Sequence, residues 1–413
     1  MKGDLKTGNS LKILIISQYF PPDPGGNSTR VLNAIKGLER RKHEITAVVA
    51  FPHYPDGIIP PKYGGKALSI EAMGKHRIIR VWMPRLAHSK LFKRLILYVT
   101  FIASSLMALP FTKKADIIWA VSPNFFVFFS GIIFKMFKRA RLTLDVGDLW
   151  PDAVVELEIL KPNSLAVKLA AKLARIAYRI ADVIIATSPN LRKGIIRYGV
   201  EPGKVHVVEE GVDTEIFHPV EDVESVKARF KLKGKFIAMY SGNIGPAYDF
   251  DTILVAAKIL SLHPDIYFII KGRGECLNDV LRKLRELKLN NILISTELLD
   301  FKEISSFINM ADVFLLPMKN VYILPTKIYE YMACGKPVIC CAKGETADLV
   351  RSLNVGLVVE PGNPEALAQA ILTLYKNRDL LKKLGESGYS YVSKFLSIEK
   401  IGSRLERIFS SIV

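Results

Sequence analysis

Residues 11–50 read LKILIISQYFPPDPGGNSTRVLNAIKGLERRKHEITAVVA, and this stretch decides the fold. It begins at 11–17 with a continuous apolar run, which is typical of a strand buried on both faces of a sheet. A turn of proline and glycine follows, and apolar residues then recur at helical spacing from Asn27 to Arg41. A second apolar run occupies Ile45–Ala50. The stretch therefore predicts a β-α-β unit with parallel strands.

The same alternation of strand and helix continues in both halves of the chain. It predicts an α/β protein with two doubly wound, Rossmann-like parallel sheets that face a cleft. The polar segment Glu210–Glu224 is the expected boundary, so the predicted domains are 1–210 and 211–395, and a final helix within 396–413 is expected to cross back to the first domain. Further strand-like runs are Asp116–Val121, Arg141–Val146, Val183–Thr187, Val205–Val208, Phe236–Ser241, Ile266–Lys271, Ile292–Ser295, Val313–Pro317, Pro337–Cys341 and Gly356–Glu360.

The composition is that of a folded protein with a basic first half. Of the 413 residues, 49% are hydrophobic and 24% are charged, which excludes wholesale disorder. The net charge is +18, and residues 1–213 carry 32 basic and 17 acidic residues, a net of +15. Such a half favours an anionic partner, namely nucleic acid, an acidic membrane surface or a phosphorylated substrate. A lysine-rich thermophile composition is the alternative explanation.

The cysteines and the first residues indicate a cytoplasmic protein. The four cysteines, which are Cys276, Cys334, Cys340 and Cys341, have neither metal-ligand nor disulfide-framework spacing, so we expect them to be reduced. The first ten residues are followed by one short apolar run without a small-residue cleavage site, so no signal peptide is predicted there.

One uncharged segment departs from the α/β pattern. Residues Leu95–Thr112 hold 18 residues without a charge, and the cations Lys90, Lys93, Arg94, Lys113 and Lys114 flank them. The segment suits a helix in the membrane interface, a buried helix or a short membrane span. We expect peripheral attachment to the inner face of the cell membrane, with contacts from Leu97, Phe101 and Leu106. The phenylalanine-rich stretch Asn124–Phe137 could extend the same surface or be a buried helix.

Three glycine turns follow predicted strands. They contain Gly25-Gly26, Gly242-Asn243-Ile244-Gly245 and Gly272-Arg273-Gly274. Each could be only a tight connection, but backbone N–H groups at such turns bind phosphate, and three of them favour a cleft for a phosphorylated ligand. Neither GxGxxG nor GxxxxGK[ST] is present, so the sequence does not support a dinucleotide or P-loop site.

A predicted helix in the second half carries a cation and a carboxylate on one face. It begins at Pro325 and ends at Gly335, and Lys327 and Glu330 lie three residues apart near its start. The two side chains could form a structural ion pair. They would also suit a nucleotide sugar, with the cation on phosphate and the carboxylate on the ribose hydroxyls.

Three carboxylates follow the strand at 141–146. Asp145, Asp148 and Asp152 could hold a metal or supply a general base, but no histidine or fourth ligand lies nearby in the sequence. Asp152 suits a helix cap, and Asp148 is the better candidate for chemistry. None of the seven histidines forms a metal-like pair, and most are expected in solvated loops.

Several segments together resemble glycosyltransferase family 4, a retaining family with the GT-B fold. They are GGNSTRVLNAIKGLERRKHEITAVV, DLWPDAVVELEIL, EEGVDTEIFHP, YSGNIG and PTKIYEYMACGKPVI. The resemblance covers nearly the whole chain, and DLWPD, YSGNIG and PTKIYEYMA are similar to the bacterial subgroup that transfers fucosamine or N-acetyl amino sugars to polyprenyl-linked glycans.

The resemblance implies a nucleotide-sugar donor, expected to be a UDP-sugar, on the second domain and a polyprenyl- or dolichyl-linked acceptor on the first. It implies no cofactor and no metal, because amides and cations stabilise the departing diphosphate. Gly25, Gly26, Asn243, Arg273 and Lys327 would contact the diphosphate and sugar. Glu330 would take the ribose hydroxyls, and Asp148 would activate the acceptor.

The sequence departs from the family pattern at three places. Tyr322 stands where the family has a glutamate, the turn GNIGPAYDF lacks the usual cations, and Gly147-Asp148 replaces the common His-Asp. Arg273 and Lys327 are the candidates to replace the missing cations. Two alternatives stay open, a nucleotide-sugar 2-epimerase of the same fold and a basic nucleic-acid-binding protein.

Overall fold

The computed structural model describes residues 10–88, 91–156, 160–297, 299, 301–319 and 324–413. The chain divides into two compact units. The first unit comprises Met1–Gly211 and Ile398–Val413, and the second comprises Val212–Ser397.

The described residues form strands and helices in regular alternation. The strands are β1 Lys12–Ser17, β2 Glu44–Ala50, β3 Leu68–Met73, β4 His76–Val81, β5 Ile117–Val121, β6 Arg141–Val146, β7 Val183–Ala186, β8 Val205–Val207, β9 Phe236–Ser241, β10 Ile266–Lys271, β11 Ile292–Ser295, β12 Val313–Pro317, β13 Val338–Cys341 and β14 Gly356–Val359. The helices are α1 Gly26–Glu39, α2 Leu91–Leu106, α3 Val127–Lys138, α4 Asp152–Glu156, α5 Leu165–Ile180, α6 Pro189–Arg197, α7 Val223–Arg229, α8 Phe250–Ile259, α9 Leu277–Glu286, α10 Phe301–Asn309, α11 Lys327–Ala333, α12 Glu345–Leu353, α13 Pro364–Lys376, α14 Arg378–Phe395 and α15 Ile398–Ser410.

The first unit is built on an eight-stranded sheet with the order β3-β4-β2-β1-β5-β6-β7-β8. All pairs are parallel except β3 with β4, and β1 lies between β2 and β5 with Ile13 opposite Ile45 and Ile117. The strand runs are apolar because the central strands are buried on both faces. The last helix, α15, packs on α1 and is fixed there by the Arg41–Glu406 pair.

The second unit has a six-stranded, all-parallel sheet with the order β11-β10-β9-β12-β13-β14. One face of this sheet carries a hydrophobic cluster that includes Phe236, Phe268 and Ile339. The predicted α/β class with two doubly wound parallel sheets is confirmed.

The uncharged segment at 95–112 forms most of α2 and a short 3-10 helix, Leu109–Phe111. Leu97 and Phe101 are fully buried, and Leu106 packs against the core. The assignment of Leu97 and Phe101 to membrane contact is therefore wrong, because both lie on the side of α2 that is buried in the core. Leu106 lies about half a turn further around the helix and is half-buried against the same core, so it is not a free membrane contact either. Among the described residues, no helix has the length and apolar character needed to cross a bilayer.

Candidate active site

In the second unit, the chain leaves the sheet in opposite directions after β9 and β12, which are adjacent strands. Ligands of doubly wound sheets bind at this switch point, outside the carboxyl ends of the strands. The turn at Gly242–Gly245 follows β9 directly. Two of the predicted donor-binding residues, Asn243 and Lys327, belong to the segments that follow these two strands.

The second and third glycine turns are bonded to each other. The Ile244 N–H donates to the Arg273 carbonyl at 2.8 Å, and the Cys276 N–H donates to the Ile244 carbonyl at 3.0 Å. Gly272 has φ of 150°, and a β-carbon there would collide with the Gly242 carbonyl oxygen. Glycine is required at 272 because the two turns approach each other at backbone distance.

Lys327 lies in an aromatic enclosure beside the first of these turns. Its Nζ donates to the Tyr240 hydroxyl at 2.8 Å and lies 4.1 Å from the centre of the Tyr248 ring. A β-carbon at Gly242 would collide with this ammonium group. Burial lowers the pKa of Lys327 to about 7, although the nearby Glu330 carboxylate opposes the change. The amine is thus hydrogen-bonded to Tyr240, and Glu330 acts on it through its charge.

The helix that carries Lys327 is fixed to the sheet by Tyr331. The Tyr331 hydroxyl donates to the Ser241 carbonyl at 2.6 Å and accepts from the Ser241 N–H at 3.0 Å. The Tyr331 ring stacks on Phe314 of β12 with centroids 3.9 Å apart. Because α11 is bonded to the end of β9 and stacked on β12, Lys327 is positioned by both strands of the switch point.

The remaining predicted residues of the second unit differ in their surroundings. Burial raises the pKa of Glu330, and the Lys327 charge lowers it. Asn243 is exposed, and its carbonyl accepts the Tyr240 hydroxyl at 2.5 Å. Arg273 is exposed, and its Nε donates to the Thr296 carbonyl at 2.6 Å. Tyr322 lies outside the described residues.

Sequence reasoning missed a buried lysine at this edge of the sheet. Lys271 is the last residue of β10, it is buried, and its Nζ donates to Ser295 Oγ at 3.3 Å and to the Glu297 carbonyl. Burial lowers its pKa. The signal was a lysine at the end of the apolar run IYFIIK, immediately before the glycine turn.

In the first unit, Gly25 and Gly26 begin α1 directly after the β1 turn. Gly25 is the N-cap of the helix with φ of 115° and is exposed, and Gly26 is half-buried. The first-turn N–H groups of this 14-residue helix are a place where an anion is stabilised. Tyr54 lies beside Gly25, since its ring carbon is 4.0 Å from the position of a β-carbon there.

Asp148 follows β6 in the same unit and is a carboxyl group with an altered proton affinity. Burial raises its pKa to about 6. The negative charge of Asp148 raises the pKa of Tyr98, and the Tyr98 hydroxyl is hydrogen-bonded to Tyr19. Tyr19 in turn contacts Tyr54, with ring centroids 5.5 Å apart. A chain of aromatic contacts thus links the surroundings of Asp148 to those of Gly25.

The other two carboxylates of this segment have structural partners. Asp145 is buried in an ion pair with Arg30, Nη2 to Oδ2 2.9 Å, and accepts from Trp119 Nε1 at 3.1 Å. Asp152 begins α4 and accepts from the Tyr198 hydroxyl. The three carboxylates therefore have separate surroundings. Within the described part of the chain, no three His, Cys, Asp or Glu side chains gather as ligands of one metal ion.

The expectation that most histidines lie in solvated loops is wrong. Four of the seven, His43, His53, His76 and His88, are buried. His88 Nε2 is 3.0 Å from the Tyr19 hydroxyl, and burial lowers the pKa of His53 to about 4 and that of His88 to about 3. These two imidazoles are therefore neutral near pH 7. Nothing in the local sequence distinguishes them from solvated histidines.

A cavity of about 600 Å³ opens elsewhere in the first unit. Its lining includes Phe51, Trp82, Met83, Lys66 and Arg85, and none of the predicted site residues borders it.

Comparison with known proteins follows the same division of the chain. Residues 24–216 match the domain described as glycosyltransferase family 4, and residues 222–391 match the domain described as glycosyl transferases group 1. An uncharacterized glycosyltransferase of Methanocaldococcus jannaschii is 23% identical over 288 residues, which cover 68% of this chain and 72% of that protein. The putative colanic acid biosynthesis glycosyl transferase WcaI of Escherichia coli is 24% identical over 396 residues, 91% of this chain and 96% of that protein.

Among solved structures, the crystal structure of Anabaena HepE in complex with UDP is similar, with a TM-score of 0.70 and 17% identity. The match covers 97% of this chain and all of that one. Two doubly wound sheets and these likenesses define a glycosyltransferase of the GT-B fold. The chain carries the glycosyltransferase family 4 domain followed by the glycosyl transferases group 1 domain.

Proposed function

We propose that the protein transfers a sugar, with retention of the anomeric configuration, from a UDP-sugar to a lipid-linked acceptor in the synthesis of a polysaccharide or glycoconjugate. The sugar is an N-acetylated amino sugar, the reaction needs no metal, and the protein works at the inner face of the cell membrane. The observation that carries the donor assignment is the placement of the half-buried Lys327 and Glu330 one turn apart on α11, at the switch point of the second unit.

The donor side of the proposal rests on charge. A UDP-sugar brings a diphosphate, and Lys327 is a partly desolvated amine beside the Gly242 turn. Glu330 lies one helical turn from it and supplies acceptor oxygens for the ribose hydroxyls. When the bond between the sugar C1 and the diphosphate oxygen breaks, Lys327 and Arg273 stabilise the charge that develops on that oxygen. This stabilisation by fixed cations supports metal independence.

The acceptor side rests on Asp148. With a pKa of about 6, its carboxyl group is mostly ionised at pH 7 and still basic enough to take a proton. We assign it to the acceptor hydroxyl, whose oxygen forms the new bond to C1. Retention and the amino-sugar specificity are supported by the sequence resemblance to family 4. The relatives reported above support UDP, since HepE was crystallised with it, and a polysaccharide product, since WcaI is named for colanic acid biosynthesis.

A thermal-shift screen of UDP-, GDP- and dTDP-sugars tests the donor assignment. A ligand at about 100 times its dissociation constant stabilises a protein by roughly 2.7 kcal/mol, so the correct donor raises the melting temperature by several degrees. UDP-N-acetylglucosamine should do so for the wild type and for Lys382→Met, an exposed lysine on α14, but far less for Lys327→Met. Equal shifts in all three proteins would remove Lys327 from the donor site. No shift with any nucleotide sugar would contradict the function.

A further inference from the structure

The outer side of α5 exposes a row of large apolar side chains. Leu165, Leu169, Ile176 and Ile180 recur at helical spacing, and all four are exposed, Leu165 by 82%. The helix is well defined at its start, because Ser164 Oγ accepts from the Val167 N–H. Its opposite side buries Ala174, Ala177 and Tyr178 against the unit. The helix is therefore apolar on two sides, and only one of them is covered.

The row continues onto the neighbouring segments. Lys135 of α3 donates to the Ile180 carbonyl at 3.0 Å, which places the exposed Met136 and Phe137 beside the end of α5. Lys138 donates to the Thr112 carbonyl at 2.7 Å and also to the Leu109 carbonyl, which brings in the exposed Phe111. Two lysines thus join three segments into one surface. We call it the α5 face: Phe111, Met136, Phe137, Leu165, Leu169, Ile176 and Ile180.

The charge of this surface is predominantly positive, and Asp182 at its border pairs with Lys135 and Arg141. Residues 91–115, 117–144 and 160–181 contain 13 lysines and arginines and no aspartate or glutamate. On α5 itself, Lys168, Lys172, Arg175 and Arg179 are exposed and alternate with the apolar row. Long cationic side chains beside leucine and isoleucine can reach anionic headgroups while the apolar groups enter the acyl boundary.

We infer that the α5 face docks the protein on an anionic lipid bilayer. A nucleic acid would bind the cations, but its phosphate backbone would not bury the exposed leucine and isoleucine side chains. A bilayer uses both, since apolar burial and headgroup attraction add. The inference rests on the proposed function, because docking on a bilayer would bring the protein to its lipid-linked acceptor. It also moves the membrane contact from Leu97 and Phe101, which are buried, to α5 and its neighbours.

Vesicle flotation with the full-length protein tests the inference without donor or acceptor. Wild-type protein should float with phosphatidylglycerol vesicles, remain free with phosphatidylcholine vesicles, and bind less in high salt. Each cation near an anionic surface contributes about 1 kcal/mol, or about fivefold, so Lys168→Gln with Lys172→Gln should weaken binding roughly 25-fold. At moderate salt, where headgroup attraction is screened, Leu165→Gln with Leu169→Gln should abolish most of the vesicle binding that the wild type retains.

The second unit offers matched controls of equal chemistry. Lys382→Gln with Lys383→Gln removes two exposed cations of α14, and Ile259→Gln with Leu262→Gln removes two exposed apolar residues, Leu262 being 87% exposed. These variants should bind vesicles like the wild type. Equal binding by the α5 variants, or equal loss in the controls, would overturn the inference.

Two further readouts separate the explanations. If the wild type forms a dimer by light scattering that the Leu165→Gln, Leu169→Gln variant does not form, the face is a protein interface and the inference is wrong. Transfer to a detergent-free, water-soluble acceptor analogue should be unchanged in the α5 variants. Loss of vesicle binding with that transfer intact supports docking, whereas wild-type protein that transfers sugar but never binds vesicles refutes docking and leaves the proposed sugar transfer in place.

Discussion

Donor affinity should fall as the pH rises above about 7, because the free protein then loses the Lys327 proton. Burial among Tyr240 and Tyr248 brings the pKa of this amine to about 7. A bound diphosphate favours the charged amine and raises its pKa. Donor binding is therefore coupled to proton uptake between the lower pKa of the free protein and the higher pKa of the complex.

The size of the effect follows from the protonated fraction of Lys327. With a pKa of about 7 the amine is half protonated at pH 7 and about one-tenth protonated at pH 8. The dissociation constant for a UDP-sugar should thus rise roughly fivefold from pH 7 to pH 8 and approach tenfold per unit above that. UDP-sugars suit the experiment because their diester phosphates keep a constant charge over this range.

Isothermal titration calorimetry from pH 6.5 to about pH 8.5 measures both the affinity and the proton uptake, the latter from buffers with different ionisation enthalpies. Lys327→Met should bind about 5- to 150-fold more weakly near pH 7, as for a lost charged hydrogen bond of about 1–3 kcal/mol, and its affinity should not vary with pH. Arg273→Met is the control, since it removes a cation and should keep the wild-type slope. A flat wild-type profile, or a slope that persists in Lys327→Met, would refute the reasoning.

Other expectations concern single residues. Glu330→Gln should weaken UDP-sugar binding by about 1–3 kcal/mol in calorimetry, and UMP binding equally, because the ribose is common to both; an unchanged UMP affinity would contradict the ribose assignment. Asp148→Asn should lower kcat about 100- to 10,000-fold with donor affinity unchanged, and the wild-type rise of kcat through about pH 6 should vanish. Gly242→Ala should impair donor binding more than folding, because its β-carbon meets the Lys327 ammonium. Arg30→Met should lower the free energy of unfolding by about 3–5 kcal/mol, because it leaves Asp145 buried without its cation, and urea denaturation would show a smaller loss if the pair were unimportant.

The parallel strands could be predicted because strands buried on both faces are continuous apolar runs. Strands β3 and β4 could not. Their sequences are LSIEAM and HRIIRV, and they lie at the edge of the sheet, where Glu71 and Arg80 form an ion pair. A buried Arg80 and His76 interrupt the apolar pattern of β4, so nothing local marks it as a strand.

The membrane residues were misassigned for a related reason. In α2 the only charges are Lys93 and Arg94 in the first turn, and from Leu95 onward the helix is uncharged, so the sequence does not indicate which side faces the sheet. Helix α5 has regular charges, and its apolar row looks like an ordinary core-facing stripe. Only the structure shows that Ala174, Ala177 and Tyr178 face the core instead, which leaves the larger Leu165 and Leu169 exposed.

The candidate site shows the same limit at the level of chemistry. Spacing within one helix was enough to place Lys327 and Glu330 together, because residues three apart share a helical face. The proton affinity of Lys327 is set by Tyr240 and Tyr248, which lie about 80 residues earlier and reach it only through the β9–β12 switch point. A lysine of ordinary pKa would bind a diphosphate equally well at pH 7 and pH 8. The pH dependence of donor binding therefore tests the tertiary arrangement itself, whereas loss of binding in Lys327→Met alone would test only the sequence motif.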